Sequence, residues 1–191
     1  MRKFVKEWVI ILGVFGILYA TGLHTEVIAF TQRIILSTGV IGPKKLKADD
    51  WERAVYDIKL KLLSSEKVID LNDYKGKVIF MNFWASWCGP CIAEMPGIQN
   101  LYNKTDTAKV KFILISLDSQ PEDAIKFLQR KNFDLPAFYP ISPLPEIYDP
   151  PAIPTTFIIS PGGMVVSKTV GMADYNKKSF IKYLEELSGT K

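Results

Sequence analysis

Cysteine and histidine are scarce in this chain of 191 residues, which holds two of the first, Cys88 and Cys91, and one of the second, His24. Two cysteines three places apart cannot tie distant segments together, so the fold must rest on its core. A zinc site would need two ligands beyond the pair, and the single histidine lies far off in the N-terminal segment. A copper chaperone would want a wider cysteine spacing and a downstream histidine. Excess charge is also missing from the bulk of the chain. The formal charge is +4, yet residues 1–50 carry seven basic and four acidic side chains against seventeen and sixteen in residues 51–191. A nucleic-acid surface needs a basic patch on the folded part itself, so no nucleic-acid partner is expected. Repeats are absent, and so is low-complexity sequence outside 136–154, where seven prolines predict a mostly irregular stretch. No motif calls for a cofactor or a metal.

What is present begins with an N-terminal apolar run. Arg2, Lys3 and Lys6 precede sixteen residues without charge, Trp8 to Leu23. That run is at the short edge of a spanning helix and just beyond the usual apolar region of a cleaved leader. A second stripe follows at helical spacing: Leu23, Val27, Phe30 and Ile34, with Glu26 and Arg33 off that face. A product cleaved near Ala20–Gly22 would begin with this sticky helix, which argues for a retained anchor over residues 1–23. The leading basic residues would stay cytoplasmic and the rest would lie outside. Residues 24–50 then read as an amphipathic segment, able to lie on the outer leaflet, and a tether. The alternative is that residues 8–36 are core helices of a soluble protein.

Residues 51–191 read as one α/β domain. Val55 to Leu62 alternate like a half-buried strand, with a partner near Val68-Ile69. Val78 to Trp84 is a short apolar run, as in a central strand covered on both faces. A helix is expected from about Cys88 to Asn103, bent at Pro96, then a buried strand from Val110 to Leu117. Ser119-Gln120-Pro121-Glu122 fits a capping box opening a helix to about Lys131. A hairpin around Pro161-Gly162-Gly163 joins Thr156–Ile159 to Met164–Val170, and an amphipathic helix ends the chain near Leu187.

The chemistry sits in Trp87-Cys88-Gly89-Pro90-Cys91. On a helix, residues three apart have Cα atoms roughly 5 Å from each other, within reach of a disulfide. Unpaired N–H groups and the dipole at a helix start favour a thiolate, and Pro90 is tolerated in the first turn. This makes Cys88 the exposed nucleophile and Cys91 the more buried resolving thiol. A passive structural disulfide and half of a metal site are the alternatives for a lone CxxC.

Residues 74–98, YKGKVIFMNFWASWCGPCIAEMPGI, resemble the TlpA/ResA branch of the thioredoxin superfamily, as do KFILISLD, AIPTTFII and the Gly171 turn. The similarity spans about 55–190. It implies a thioredoxin-like three-layer sandwich, a central mixed sheet with helices on both faces, and an inserted strand–helix unit near 110–135. It also implies a thiol–disulfide oxidoreductase that reduces client disulfides outside the cytoplasm, often serving cytochrome c maturation, re-reduced by a membrane electron donor. Ile153-Pro154 matches the loop whose proline is cis and faces the redox pair. Together with Trp87, Gly89 and Pro90 it forms the expected client-contact set. Glu94 matches an acidic residue typical of ResA-like members and would act as proton donor and acceptor, unless it is an ordinary solvated glutamate. Asn82 stands where cytosolic thioredoxins usually carry a buried aspartate and cannot shuttle protons. Competing readings are a peroxidase, for which Asn82 to Trp87 offers no Thr or Pro ahead of the cysteine, an oxidase or isomerase of the same fold, and a non-catalytic tethered binding module.

Overall fold

Seven consecutive residues with nothing but apolar or amide side chains, VIFMNFW, can only be stable inside a sheet covered on both faces. In the computed structural model, which describes residues 2–21 and 23–189, they form the wholly buried strand β4 (Val78–Trp84). It pairs in parallel with β5 (Val110–Ser116) and antiparallel with β7 (Thr155–Ile159). β7 turns through Gly163, at φ +76°, into the antiparallel β8 (Met164–Val170). With β1 (Glu52–Arg53), β2 (Lys59–Leu62), β3 (Val68–Asp70) and β6 (Ala137–Pro140), the mixed sheet has the order β1-β8-β7-β4-β5-β6-β2-β3.

The strand period of two sends Val78, Phe80 and Trp84 to one face and Ile79, Met81 and Phe83 to the other. The first face is covered by α3 (Gly89–Lys104), α4 (Pro121–Lys131) and α5 (Lys178–Leu187), through side chains such as Ile98, Phe127 and Leu184. The second face differs from the expectation of helices on both sides. There the cover is the extended segment around Tyr56 and Ile58 and two 3₁₀ turns, Leu71–Tyr74 and Glu146–Tyr148. Tyr148 and Leu71 from those turns are fully buried and fill the space a longer helix would occupy.

Several local expectations are corrected. The strand read over Val55–Leu62 pairs only from Lys59, because the preceding N–H groups find other partners: Ala54 bonds to Gly163 O and Val55 to Tyr148 Oη. The capping box does not form. Pro121 takes the first helical position, which moves the cap to Gln120, and no side chain bonds there. The proline-rich stretch is mostly irregular, as expected, and also carries the short β6, since the N–H groups of Phe138 and its neighbours remain free to pair. Part of the expected tether is pinned to the sheet edge, with Lys45 bridged to Ser167 and Leu46 N donating to Val166 O.

At the N-terminus, α1 (Arg2–Ala20) exposes nearly every large apolar side chain described, from Phe4 and Trp8 to Ile17 and Tyr19. Among the described residues no helix is long and apolar enough to cross a membrane. α2 (Leu23–Ser37) is not a free surface helix. Ala29 and Leu36 are buried against the domain, on the side opposite Phe30 and Ile34, and its main neighbour is α3. The side chains of Leu23, His24, Glu26 and Val27 lie outside the described residues.

Candidate active site

β4 ends at Trp84 and the chain turns through Ala85–Trp87 into α3, so whatever follows the strand is delivered to the sheet's C-terminal edge. Cys88 is the N-cap of α3, and its sulfur lies 3.2 Å from the Cys91 amide nitrogen. The two cysteines form a disulfide with Cα atoms 5.2 Å apart. The Cys91 N–H of the first turn points at Cys88 Sγ, as the spacing predicts for a site that stabilises a thiolate.

Cys91 is fully buried. Cys88, expected to be exposed, is only 6% exposed, while Trp87 beside it is 61% exposed. One neighbour of the sulfur and one of the adjoining residue are defined. The carbonyl oxygen of Ile153 lies 3.7 Å from Cys88 Sγ, and the Ile153–Pro154 peptide is cis. Ile28 of α2 packs onto Gly89, which is buried, so Gly89 is not open to solvent.

Below the disulfide lies a polar row. The register of β4, β7 and β8 places Asn82, Thr156 and Thr169 side by side on the α3 face. Asn82 Nδ2 donates to Thr156 Oγ1 and to Glu94 Oε1, both at 2.9 Å, and the Ala173 amide donates to Glu94 Oε2 at 3.1 Å. Glu94 is 1% exposed, so the solvated reading does not hold. Burial pushes its carboxyl up to about 8, and the two hydrogen bonds only partly offset that. Tyr175 is buried nearby, its hydroxyl pushed well up by burial and secondarily by Glu94. Glu94 also lines a cleft of about 410 Å³ between α2, α3 and residues 173–176, with Arg33, Asn100 and Asp174 in its wall.

Sequence reasoning missed Asp118. Its carboxylate, 3% exposed, accepts from Ser86 N at 3.0 and 3.2 Å, from Ser86 Oγ at 2.7 Å and from Ser116 Oγ at 2.8 Å. These bonds pin the turn that carries Cys88. An aspartate after a strand gives no sign of this, because the Ser86 donors come from a segment more than thirty residues away.

Comparisons with known proteins bear on this geometry. A model described as the AhpC/TSA family matches residues 52–168. The chain is 35% identical over 124 residues to the thiol-disulfide oxidoreductase ResA of a strain of Bacillus cereus, covering 64% of this chain and 70% of that protein. It is 32% identical over 106 residues to ResA of Bacillus subtilis (strain 168), covering 55% and 59% respectively. Among solved structures, a protein assigned as thiol:disulfide interchange protein DsbE from Chlorobium tepidum superposes with a TM-score of 0.57 at 27% identity, covering 71% of this chain and 94% of that one. A secreted thiol-disulfide isomerase from Corynebacterium glutamicum gives 0.62 at 20% identity, covering 76% and 91%, a likeness of fold alone.

Proposed function

The chain belongs to the AhpC/TSA family and, within it, to the ResA-type thiol–disulfide oxidoreductases, and from that premise we propose that it reduces client disulfides outside the cytoplasm through Cys88 and Cys91. The observation that carries the reading is a CxxC pair capping a helix beside a buried carboxyl held by Asn82 and Ala173.

In the reduced protein the Cys88 thiolate attacks one sulfur of the client disulfide. The client S–S bond breaks, a Cys88–client mixed disulfide forms, and the other client sulfur leaves as a thiolate that takes a proton. Cys91 then loses its proton and attacks Cys88 Sγ, forming the Cys88–Cys91 bond and releasing the second client thiol. Two electrons pass from the protein to the client, and of the two protons the client thiolates take up, one balances the proton lost by Cys91 and the other comes from solvent. The Cys91 proton needs an acceptor in a buried place. Glu94, one helical turn on, has a carboxyl raised to about 8, and its ionised form is the base that takes this proton. The cleft beside Glu94 gives that proton a way to exchange with water.

Trp87, Pro90, Ile153 and Pro154 surround the pair and form the client-contact surface, with the Ile153 backbone placed to pair with an extended client strand. A retained N-terminal anchor is supported by the exposed apolar residues of α1, by the uncharged run that continues to Leu23, and by the basic residues ahead of it. That anchor would place the domain beside a membrane electron donor, with apocytochromes c as fitting clients.

Replacing Cys91 with serine tests the order of attack. The variant is expected to accumulate mixed disulfides through Cys88. If the Cys88→Ser protein traps clients equally well, the roles are reversed.

A further inference from the structure

Proline inside a helix leaves the carbonyl four residues earlier without its partner. In α3 that carbonyl belongs to Ile92, because Pro96 has no N–H to give it. The structure fills the gap from outside the helix: Arg33 of α2 donates from Nη2 to Ile92 O at 3.2 Å. Earlier on α2, Ile28 and Gln32 reach Gly89, one of the two residues between the cysteines. A Cβ added to Gly89 would lie 3.1 Å from Ile28 Cγ2, 3.6 Å from Ile28 Cβ and 3.8 Å from Gln32 Oε1. A side chain there would have to push Ile28 back by a few tenths of an ångström. α2 therefore crosses the first turn of the redox helix, anchored at the carbonyl that Pro96 vacates.

The consequence falls on Cys88. Its sulfur is bounded by the Ile153 carbonyl at 3.7 Å, the adjoining Gly89 is capped by Ile28, and Cys88 itself is 6% exposed. A thiolate must approach a disulfide along the S–S axis, so the client's chain has to pass over these same residues. We infer that Ile28 is a specificity-determining residue for dithiol exchange. It forms the second wall of a slot over Cys88 that admits small or extended disulfides and turns away those held in a folded surface. The inference rests on the reading of Cys88 as the attacking sulfur.

α2 meets the domain through buried Ala29 and Leu36 and the Arg33 bond, and Gln32 Oε1 is buried with no partner. Ile28 itself remains nearly half exposed, so it stands at the rim and not in the core.

The test uses the full chain in detergent micelles, reduced beforehand, with two probes: insulin, whose disulfides sit in a folded protein, and oxidised glutathione. Ile28→Ala is expected to raise the rate constant for insulin by about tenfold while changing that for glutathione less than about twofold. Ile28→Trp should lower the insulin rate by a similar factor and again spare glutathione. Phe30→Ala, on the outward side of α2, should change neither rate, and the midpoint potential should stay the same in all three. Equal changes for both probes, or no change with insulin in either Ile28 variant, would overturn the slot while leaving the Cys88 reading intact. Wild-type protein that exchanges with neither probe would overturn both.

Discussion

Replacing Glu94 with glutamine separates its proton chemistry from its packing. Glu94 takes two hydrogen bonds, one on each oxygen, from Asn82 Nδ2 and Ala173 N. Glutamine can keep both contacts if the Asn82 amide turns over, so that Asn82 Oδ1, now without a partner, accepts from the new side-chain amide. The variant should therefore fold. Its stability profile should differ with a definite sign. Below about pH 4.5 the carboxyl is protonated folded or unfolded and contributes nothing to pH dependence. Between 4.5 and about 8 the unfolded chain sheds its proton and the folded one keeps it, so stability falls as pH rises. The slope is at most about 1.4 kcal/mol per pH unit, on the order of 5 kcal/mol over the whole window. Glutamine removes that loss. Guanidinium unfolding of the oxidised protein across pH 4–9 should show the variant gaining on the wild type up to about pH 8 and running parallel above it. The thiols should respond too. A carboxylate about 6 Å from Cys91, at an effective dielectric constant of about 20, disfavours the second charge by about 3 kcal/mol. The apparent thiol titration should then move down by about 1–2 pH units in the variant, and reduction of model disulfides should slow for want of an acceptor. Parallel stability profiles with an unchanged pH–rate curve would refute the proton role.

Two further outcomes follow from the site and the N-terminus. Asp118→Ala strands the Ser86 N–H and two hydroxyls in a buried place and should cost about 2–3 kcal/mol in denaturant titrations; wild-type stability would mean the turn before Cys88 holds without it. Full-length protein should fractionate with membranes, resist carbonate extraction and retain Met1 or Arg2 at its N-terminus, and a mature product starting near Leu23 would rule out the retained anchor.

The redox centre was legible because its signals are local and strong. VIFMNFW can be only a buried strand, CGPC can be only a helix start after it, and the register of three makes the disulfide possible. The covering of that centre was not legible. In α2 the apolar stripe through Phe30 and Ile34 draws the eye, yet the side that docks is Ala29, Gln32, Arg33 and Leu36, mostly small or polar residues suited to close approach and to one orphan carbonyl. β6 hid among prolines because a strand needs free N–H groups only at the positions that pair. The second sheet face was expected to carry helices, and single 3₁₀ turns suffice there because Tyr148 and Leu71 are each bulky enough to fill a layer. Asn82 and Glu94 were recognisable singly, while the row they form with Thr156 depends on a strand register that spans 74 residues of chain.

Whether this protein is a reductant is tested most directly by its midpoint potential. A dithiol becomes strongly oxidising when its reduced form is stabilised as thiolate, as in DsbA at about −120 mV against about −270 mV for thioredoxin. Here Gly89 and Pro90 bring no donor from a side chain, the Arg33 guanidinium is directed to the Ile92 carbonyl, and Glu94 opposes a second negative charge. The helix N-terminus alone favours the thiolate, by up to about 2 kcal/mol, which moves a two-electron couple by only about 40–50 mV. Equilibration of the purified protein with glutathione and dithiothreitol buffers should therefore give a midpoint nearer thioredoxin's than DsbA's. A value above about −180 mV, that of protein disulfide isomerase, would make the protein an oxidase or isomerase and contradict the reductant reading.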